Sequence, residues 1–128
     1  MRKKIVSFLV FSCLIAGVMP VQARLQSNMQ ILAKNMTVIE KSSDATELQR
    51  ALQNMRSAAL TAREEIPYSL DGKKVDSIEM KNYQQGYDLL INQIDLIAGL
   101  VDKGSISEAK DAVEKLKEIR NGWHMKYR

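Results

Sequence analysis

The chain has 128 residues, of which 45% are hydrophobic, 27% are charged and 5% are aromatic. Its 19 basic and 15 acidic residues give a formal net charge of +4, and Cys13 is its only cysteine. This length suits one domain with a single core, and a lone cysteine excludes an internal disulfide framework.

The N-terminal segment is typical of a secretory signal peptide. A basic region, Arg2–Lys4, precedes an apolar run from Ile5 to Val18, and the stretch that ends at Ala23 fits a cleavage site. The apolar run is short for a transmembrane helix, and no second run follows it. We therefore predict that residues 1–23 are cleaved off, in preference to an uncleaved anchor, and that residues 24–128 form the exported domain.

Most of the net positive charge of the chain comes from the predicted signal peptide. Residues 1–23 hold three of the 19 basic residues and none of the 15 acidic ones, so the exported domain carries a net charge of about +1. A nearly neutral domain lacks the basic surface that nucleic-acid binding requires. Loss of Cys13 also leaves no thiol, so packing or a bound group must stabilise the domain. We expect no nucleic-acid partner, and no membrane attachment after cleavage.

Four segments of the exported domain carry apolar residues at alternating steps of four and three, the spacing of one face of a helix. The helices predicted from this spacing cover about residues 25–42, 44–65, 76–103 and 105–126. No segment shows the alternation of a strand. Four helices with one apolar face each, joined mostly by short connections, predict an all-α fold: an antiparallel up-down-up-down four-helix bundle.

Signals for helix ends support these boundaries. Pairs spaced three residues apart mark the starts of the last three helices: Asp44 with Glu47, Asp76 with Glu79, and Ser105 with Glu108. Gly104 is predicted to follow the third helix in a left-handed conformation. The connection from Ile66 to Val75 contains Pro67 and Gly72 and is longer than usual, which indicates a functional or mobile loop.

The antiparallel topology places the unusual side chains at one end of the bundle, where the first and third helices start and the second and fourth end. They comprise a thioether, an imidazole, tyrosines, arginines and small residues: Met29, His124, Tyr83, Tyr87, Arg120, Arg128, Ala58, Ala59 and Ala62. The alanines either serve helix formation alone or leave room for a ligand. Met36 and Met55 are predicted to be core residues.

This set of side chains suits a haem group. A flat macrocycle needs a slot between helices, its iron takes an imidazole and a thioether as axial ligands, and arginine binds its propionates. Met29 and His124 are the candidate ligands, with Arg120 and Arg128 as candidate propionate partners. A single histidine is more often a surface residue and a methionine more often fills a core. Only the shared end of the bundle favours these two as ligands.

The sequence also indicates how a haem would be attached. Covalent attachment uses the motif Cys-x-x-Cys-His. With His124 as the histidine, the cysteines would stand where Arg120 and Trp123 are found. Any haem is therefore haem b, one per chain and non-covalently bound.

The exported domain resembles a known family, the soluble periplasmic cytochromes b-562. The similarity spans the whole domain and is closest in N-M-x-x-L at Asn28–Leu32, V-I-E-K at Val38–Lys41, M-R-x-A-A-L at Met55–Leu60, G-Y-D-x-L at Gly86–Leu90 and R-N-x-x-H-x-K-Y-R at Arg120–Arg128. The resemblance implies that Met29 and His124 are the axial ligands and that Arg120 and Arg128 lie beside the haem.

Further residues are expected in the haem pocket on the same basis: Leu32, Tyr83, Tyr87 and Trp123. Three of them depart from the family pattern, which usually has phenylalanine at Tyr83 and Tyr87 and tyrosine at Trp123. The family also usually has proline at Tyr68. The two added hydroxyl groups near the haem need hydrogen-bond partners or solvent.

The resemblance implies a one-electron carrier in the periplasm of a Gram-negative bacterium. Two axial ligands from the protein leave no open position on the iron, and the sequence offers no nucleophile–base set or phosphate loop. We therefore expect no enzyme activity. The alternative is a haem-free or weakly haem-binding periplasmic bundle that acts in protein interaction or haem storage. We expect a monomer whose partners are redox proteins that the sequence does not specify.

Overall fold

The computed structural model describes residues 21–127, and all of the regular structure in this range is helical. The elements are α1 (Val21–Lys41), α2 (Ala45–Arg63), a short 3-10 turn (Tyr68–Leu70), α3 (Ile78–Asp102) and α4 (Ile106–Tyr127). Helices that are consecutive in the chain pack closely, whereas α1 and α4 touch at only a few points. This arrangement confirms the predicted all-α four-helix bundle.

The predicted signal peptide falls mostly beyond this range. Residues 1–20 lie outside the described residues, and residues 21–23 form the first turn of α1. The first helix therefore begins before the predicted start at residue 25. Cleavage after Ala23, and with it the division into residues 1–23 and 24–128, stays a prediction.

Contacts between helix ends show which ends meet. Arg24 near the start of α1 pairs with Glu65, just after α2, at 3.3 Å. The hydroxyl of Tyr83, near the start of α3, donates to the carbonyl of Ala62, near the end of α2, at 3.0 Å. The indole Nε1 of Trp123, near the end of α4, donates to the Tyr83 carbonyl at 3.4 Å. The four termini thus share one end of the bundle, as the antiparallel topology predicts.

A lysine joins α4 to α1 at the opposite end. The Nζ atom of Lys110 lies 2.7 Å from each of three carbonyl oxygens, those of Ile39, Glu40 and Ser42. The last carbonyls of a helix have no partner within the helix, and they form the negative end of its dipole. The ammonium group therefore satisfies these acceptors and holds the first and last helices together far from His124.

The starts of α2 and α3 test two of the predicted caps. Asp44 caps α2, because its side chain accepts the Glu47 amide at 2.9 Å. The predicted capping role of Asp76 is wrong, because Ser77 caps α3 and its hydroxyl accepts the Met80 amide at 3.2 Å. Aspartate and serine are both good capping residues. Which of the two neighbours caps α3 therefore depends on where the backbone becomes helical.

Gly104 closes α3 as predicted. Its φ angle is +80°, in the left-handed region where glycine is favoured. The Gly104 amide donates to the Val101 carbonyl at 2.9 Å and the Ser105 amide to the Leu100 carbonyl at 2.9 Å. This is the Schellman pattern, which turns the chain sharply into α4.

The connection between α2 and α3 is longer than predicted and contains a 3-10 turn. It runs from residue 64 to residue 77, because α2 ends at Arg63 and α3 begins at Ile78. Pro67 and Leu70 are buried, while Tyr68 between them is 75% exposed. The 3-10 turn therefore packs one side of this loop onto the bundle.

The core follows the predicted apolar faces, and its best-buried large aliphatic and thioether side chains are Met36, Ile39, Leu48, Leu52, Met55, Met80, Ile94, Ile97 and Leu116. Met36 and Met55 are 2% and 1% exposed, which confirms them as core residues. The fully buried residues of α4 all lie in its first half, from Ala109 to Leu116. Three apolar side chains of its second half, Ile119, Trp123 and Tyr127, are only partly buried against the core, and the candidate site lies beside them.

Candidate functional site

A cavity of about 510 Å³ lies between α1, α3 and the second half of α4. Its volume falls in the range of roughly 300–1,000 Å³ that is typical of small-molecule sites. Six of the eight side chains predicted for a haem pocket line it: Met29, Leu32, Tyr87, Arg120, Trp123 and His124. In the described part of the chain, its lining includes no residue of α2.

Met29 and His124 face the cavity from different helices. Met29 lies on α1 and is half-buried against the core, whereas His124 lies on α4 and is exposed. They line the same cavity because the start of α1 and the end of α4 share one end of the bundle, where these two helices make only a few contacts. The cavity wall thus offers one thioether sulfur and one imidazole, the two donors of His/Met iron ligation.

Arg120 lies on the cavity wall and is only half-buried. Its Nε donates to the Asn121 side chain at 3.1 Å. Its place on the apolar face of α4 is therefore explained, because the charge lines a cavity with an exposed rim and is not sealed in the core. Arg128, the second predicted propionate partner, lies outside the described residues.

Tyr83 does not line the cavity, although it was predicted in the haem pocket. It is fully buried behind the wall, with its ring 5.4 Å from Trp123 and 5.3 Å from Tyr127 between centroids. Tyr87 is the tyrosine on the wall, 4.7 Å from the Trp123 ring in an edge-on contact. Aromatic pairs at these distances and angles are favourable beyond their buried area.

The alanines of α2 do not make room for a ligand. Ala58, Ala59 and Ala62 are buried, and none of them lines the cavity. The hydroxyl of Tyr83 reaches the carbonyl of Ala62 at 3.0 Å, so the tyrosine side chain occupies the space beside this end of α2. Our ligand-room interpretation of these small residues is therefore wrong, because none of them lines the cavity and the Tyr83 side chain lies beside Ala62.

The two added hydroxyl groups have partners. The Tyr83 hydroxyl gives its single proton to the Ala62 carbonyl, and its oxygen lies 3.5 Å from the Tyr87 hydroxyl oxygen. The proton between the two tyrosines must therefore come from Tyr87. No buried side-chain nitrogen or oxygen in the described residues is left without a partner.

Burial also makes ionisation of both phenols less favourable than in water. Loss of hydration raises the pKa of Tyr83 to about 12, and burial raises the pKa of Tyr87 as well. Both groups therefore act as hydrogen-bond donors over the physiological pH range. The cavity wall carries aromatic surface without an additional negative charge.

Gly86 is a lining residue that the sequence analysis named only within the motif G-Y-D-x-L, without a role in the site. It stands inside α3, and a Cβ atom at this position would overlap Cδ1 of Trp123 and lie 2.8 Å from its Nε1. A glycine within a helix costs stability and indicates a close approach of another group. That signal was present, but the sequence does not reveal which side chain approaches from α4.

The two possible metal ligands of the cavity, Met29 and His124, suit a metal that a macrocycle already coordinates. In residues 21–127 there is no group of three or more His, Cys, Asp or Glu side chains that could hold a bare ion. One imidazole and one thioether supply two ligands, which suffices for iron whose other four positions are filled by a porphyrin. Aromatic and aliphatic walls suit the apolar faces of such a ring, and Arg120 suits an anionic edge.

Comparison with known proteins identifies the family. The sequence model of the cytochrome b562 family matches residues 24–128. The chain belongs to the cytochrome b562 family. This family binds b-type haem without a covalent link. The match extends over the four helices and the cavity described above.

Two relatives in the cytochrome b562 family come from Yersinia pestis. One, named probable soluble cytochrome b562 1, is 41% identical over 122 residues, which cover 95% of this chain and 91% of the relative. The other, named probable soluble cytochrome b562 2, is 34% identical over 128 residues, the full length of both chains. An uncharacterized protein of Pasteurella multocida is 29% identical over 84% of each chain.

Within residues 21–127 of this cytochrome b562 family member, no helix is both long enough and apolar enough to cross a membrane.

Proposed function

We propose that this protein is a one-electron carrier of the periplasm that holds haem b non-covalently in the cavity between α1, α3 and α4. The observation that carries the proposal is that Met29 and His124, far apart in the chain, line the same cavity. His124 supplies the imidazole ligand and Met29 the thioether ligand. When bound, the haem supplies a reversible ferric–ferrous couple, and a thioether ligand raises its potential.

The protein side chains serve to hold and orient the group. Leu32, Tyr87 and Trp123 pack against the apolar macrocycle, and Arg120 pairs with a propionate. With Met29 and His124 both holding the iron, no position on it would be left open for oxygen or peroxide. We therefore propose a carrier and not an enzyme.

The exposed rim of the cavity suits electron exchange with other proteins. His124 is exposed, and the rim also carries the exposed side chains of Gln26, Gln30 and Asn121. One side of the site is thus accessible from solvent, where a redox partner can approach. We propose that the protein acts as a monomer in such encounters.

Haem titration with absorption spectroscopy tests the ligand assignment. The parent protein should give a low-spin, six-coordinate spectrum with sharp bands in the reduced state. Met29→Ala should leave a five-coordinate, largely high-spin ferrous haem, and His124→Ala should weaken haem retention more. Met125→Ala is the matched control, because Met125 adjoins His124 in sequence but is 78% exposed and does not line the cavity.

The outcomes separate the candidate functions. If the parent protein does not take up added haem, the carrier proposal is contradicted and a haem-free bundle is favoured. Retention of the low-spin spectrum by both Met29→Ala and His124→Ala would overturn the ligand assignment alone.

Cell fractionation of the native host tests the location. The family match begins at residue 24, which supports cleavage after Ala23. Mass spectrometry of the protein from the periplasmic fraction should give an N-terminus at Arg24. Recovery in the membrane fraction with residues 1–23 intact would contradict cleavage after Ala23 and support an uncleaved anchor.

A further inference from the structure

Gly86 and Trp123 fit one another across the α3–α4 interface. The indole lies so close to the bare backbone of Gly86 that an added Cβ would overlap Cδ1 and lie 2.8 Å from Nε1 and 3.4 Å from Cγ. These three atoms belong to the five-membered ring, near the attachment of the side chain. A small bond rotation at the far end of the side chain cannot relieve the overlap, so the whole indole would have to move.

Other contacts hold the indole in this place. Its Nε1 donates to the Tyr83 carbonyl at 3.4 Å. Its ring lies 4.7 Å from Tyr87, 5.4 Å from Tyr83 and 5.5 Å from Tyr127 between centroids. Three tyrosines pack against the ring, and at Gly86 the indole comes close to the bare backbone of α3.

The pair also forms part of the cavity. Gly86 and Trp123 both line it, and Trp123 directly precedes His124 in α4. The fully buried residues of α4 end at Leu116, and Trp123 is one of the partly buried side chains that pack the second half of α4 against the core. A displaced indole would change both the wall of the cavity and the direction of the neighbouring imidazole.

We propose that Gly86 is a positioning residue for haem binding. Because it has no side chain, the Trp123 indole can lie against α3, which keeps the slot open and aims His124 into it. This inference rests on the proposed function, because it assigns His124 to the haem iron. The placement of the indole itself is a property of the protein chain and is measurable without haem.

Gly86→Ala tests the proposal, and Gly99→Ala is its matched control. Both glycines lie within α3, but a Cβ added at Gly99 meets no atom within 4 Å. Alanine favours a helix more than glycine does, so the control should be at least as stable as the parent. Trp123 is the only tryptophan of the chain, so the tryptophan emission of the haem-free protein comes from this one indole.

We expect Gly86→Ala to shift the tryptophan emission and to weaken binding of ferric haem b roughly tenfold, the usual scale of overpacking. Gly99→Ala should change neither property. If Gly86→Ala leaves emission and haem affinity at parent values, the proposal is overturned. If the emission shifts in the haem-free protein while the parent binds no haem, the proposed function fails and the packing inference stands.

A second variant keeps the test decisive if Gly86→Ala unfolds. Trp123→Leu removes the indole, so Gly86→Ala should have almost no further effect on folding or on haem affinity in this background. Circular dichroism would measure folding, and the Soret band would measure haem binding. An undiminished effect of Gly86→Ala without the indole would show that the glycine acts through some other contact, which contradicts the pairing.

Discussion

Tyr83 and Tyr87 lie one turn apart on α3 with their hydroxyl oxygens 3.5 Å from each other, yet only Tyr87 faces the cavity. Tyr83 links the wall to the rest of the bundle, because its hydroxyl donates to the Ala62 carbonyl of α2 and its own carbonyl accepts from Trp123 of α4. Tyr83 was expected to contact haem, but its hydrogen bonds instead join α3 to α2 and α4 behind the cavity wall. The hydroxyl groups of Tyr83 and Tyr87, at positions where phenylalanine was expected, therefore form hydrogen bonds within the protein.

Tyr83→Phe should lower stability more than Tyr87→Phe. The first change removes the donor to Ala62 at 3.0 Å and also the acceptor of the Tyr87 proton, so it should cost about 1–2 kcal/mol. The second change removes only a 3.5 Å hydrogen bond and should cost less than about 1 kcal/mol. Urea unfolding of the haem-free variants measures both, and equal costs would contradict this order.

Stability should fall as the pH rises above about 10, where tyrosines of the unfolded chain ionise. The pKa of Tyr83 in the folded protein is raised to about 12, and that of Tyr87 is raised as well. The folded state then binds more protons than the unfolded state, so the unfolding free energy decreases with pH in this window. Urea unfolding at successive pH values measures the slope, which should become smaller in Tyr83→Phe. An unchanged slope in that variant would exclude Tyr83 as its source.

Lys110→Met should destabilise the bundle by about 1–3 kcal/mol, because three carbonyl oxygens at the end of α1 lose their charged partner. Lys115→Met is the control, since Lys115 makes only a surface pair with Glu118 at 3.7 Å. That control should stay within about 0.5 kcal/mol of the parent. Thermal or urea unfolding measures the difference.

The haem spectrum of Lys110→Met should match that of the parent, because Lys110 acts at the end of the bundle remote from the cavity. A changed haem spectrum together with unchanged stability would show that Lys110 acts on the haem site and not on the stability of the bundle.

Haem removal should lower the melting temperature. A group that binds only the native state adds RT ln(1 + [L]/Kd) to its stability, or about 2.7 kcal/mol at a hundredfold excess over Kd. Calorimetry with and without ferric haem b measures the shift. The double variant Met29→Ala/His124→Ala should show a much smaller shift. An equal shift would indicate stabilisation by haem bound elsewhere.

The sequence predicted the fold and the shared cavity for the same reason. Apolar spacing defines helices, short connections make them antiparallel, and this topology alone brings Met29 near the start of α1 beside His124 near the end of α4. Gly104 was predictable because few residues other than glycine adopt its φ of +80° readily.

What the sequence did not predict depends on which side chain fills a given space. The alanines of α2 indicated a gap, but whether a ligand or Tyr83 occupies it depends on the direction of a side chain on another helix. Gly86 indicated a close approach without naming Trp123 as its partner. Ser77 and Asp76 are both able to cap a helix, so one residue of backbone register decided between them.

Arg120→Gln should weaken haem binding roughly three- to tenfold at low salt, because the wall loses the one cation among its described lining residues that is able to pair with a propionate. Arg120→Lys should lose less, since it keeps the charge but not the planar pair of donors. Arg56→Gln is the control, because Arg56 pairs with Asp95 on the α2–α3 surface and lines no part of the cavity.

Salt distinguishes a charge effect at Arg120 from a packing effect. Screening lengths shrink from about 10 Å at 0.1 M salt to about 3 Å at 1 M. The difference in haem affinity between the parent and Arg120→Gln should therefore narrow as salt is added, while the low-spin spectrum stays unchanged because neither axial ligand is touched. A loss of affinity that persists at high salt would assign Arg120 to packing of the cavity wall, through its alkyl stem, and would remove it from propionate recognition.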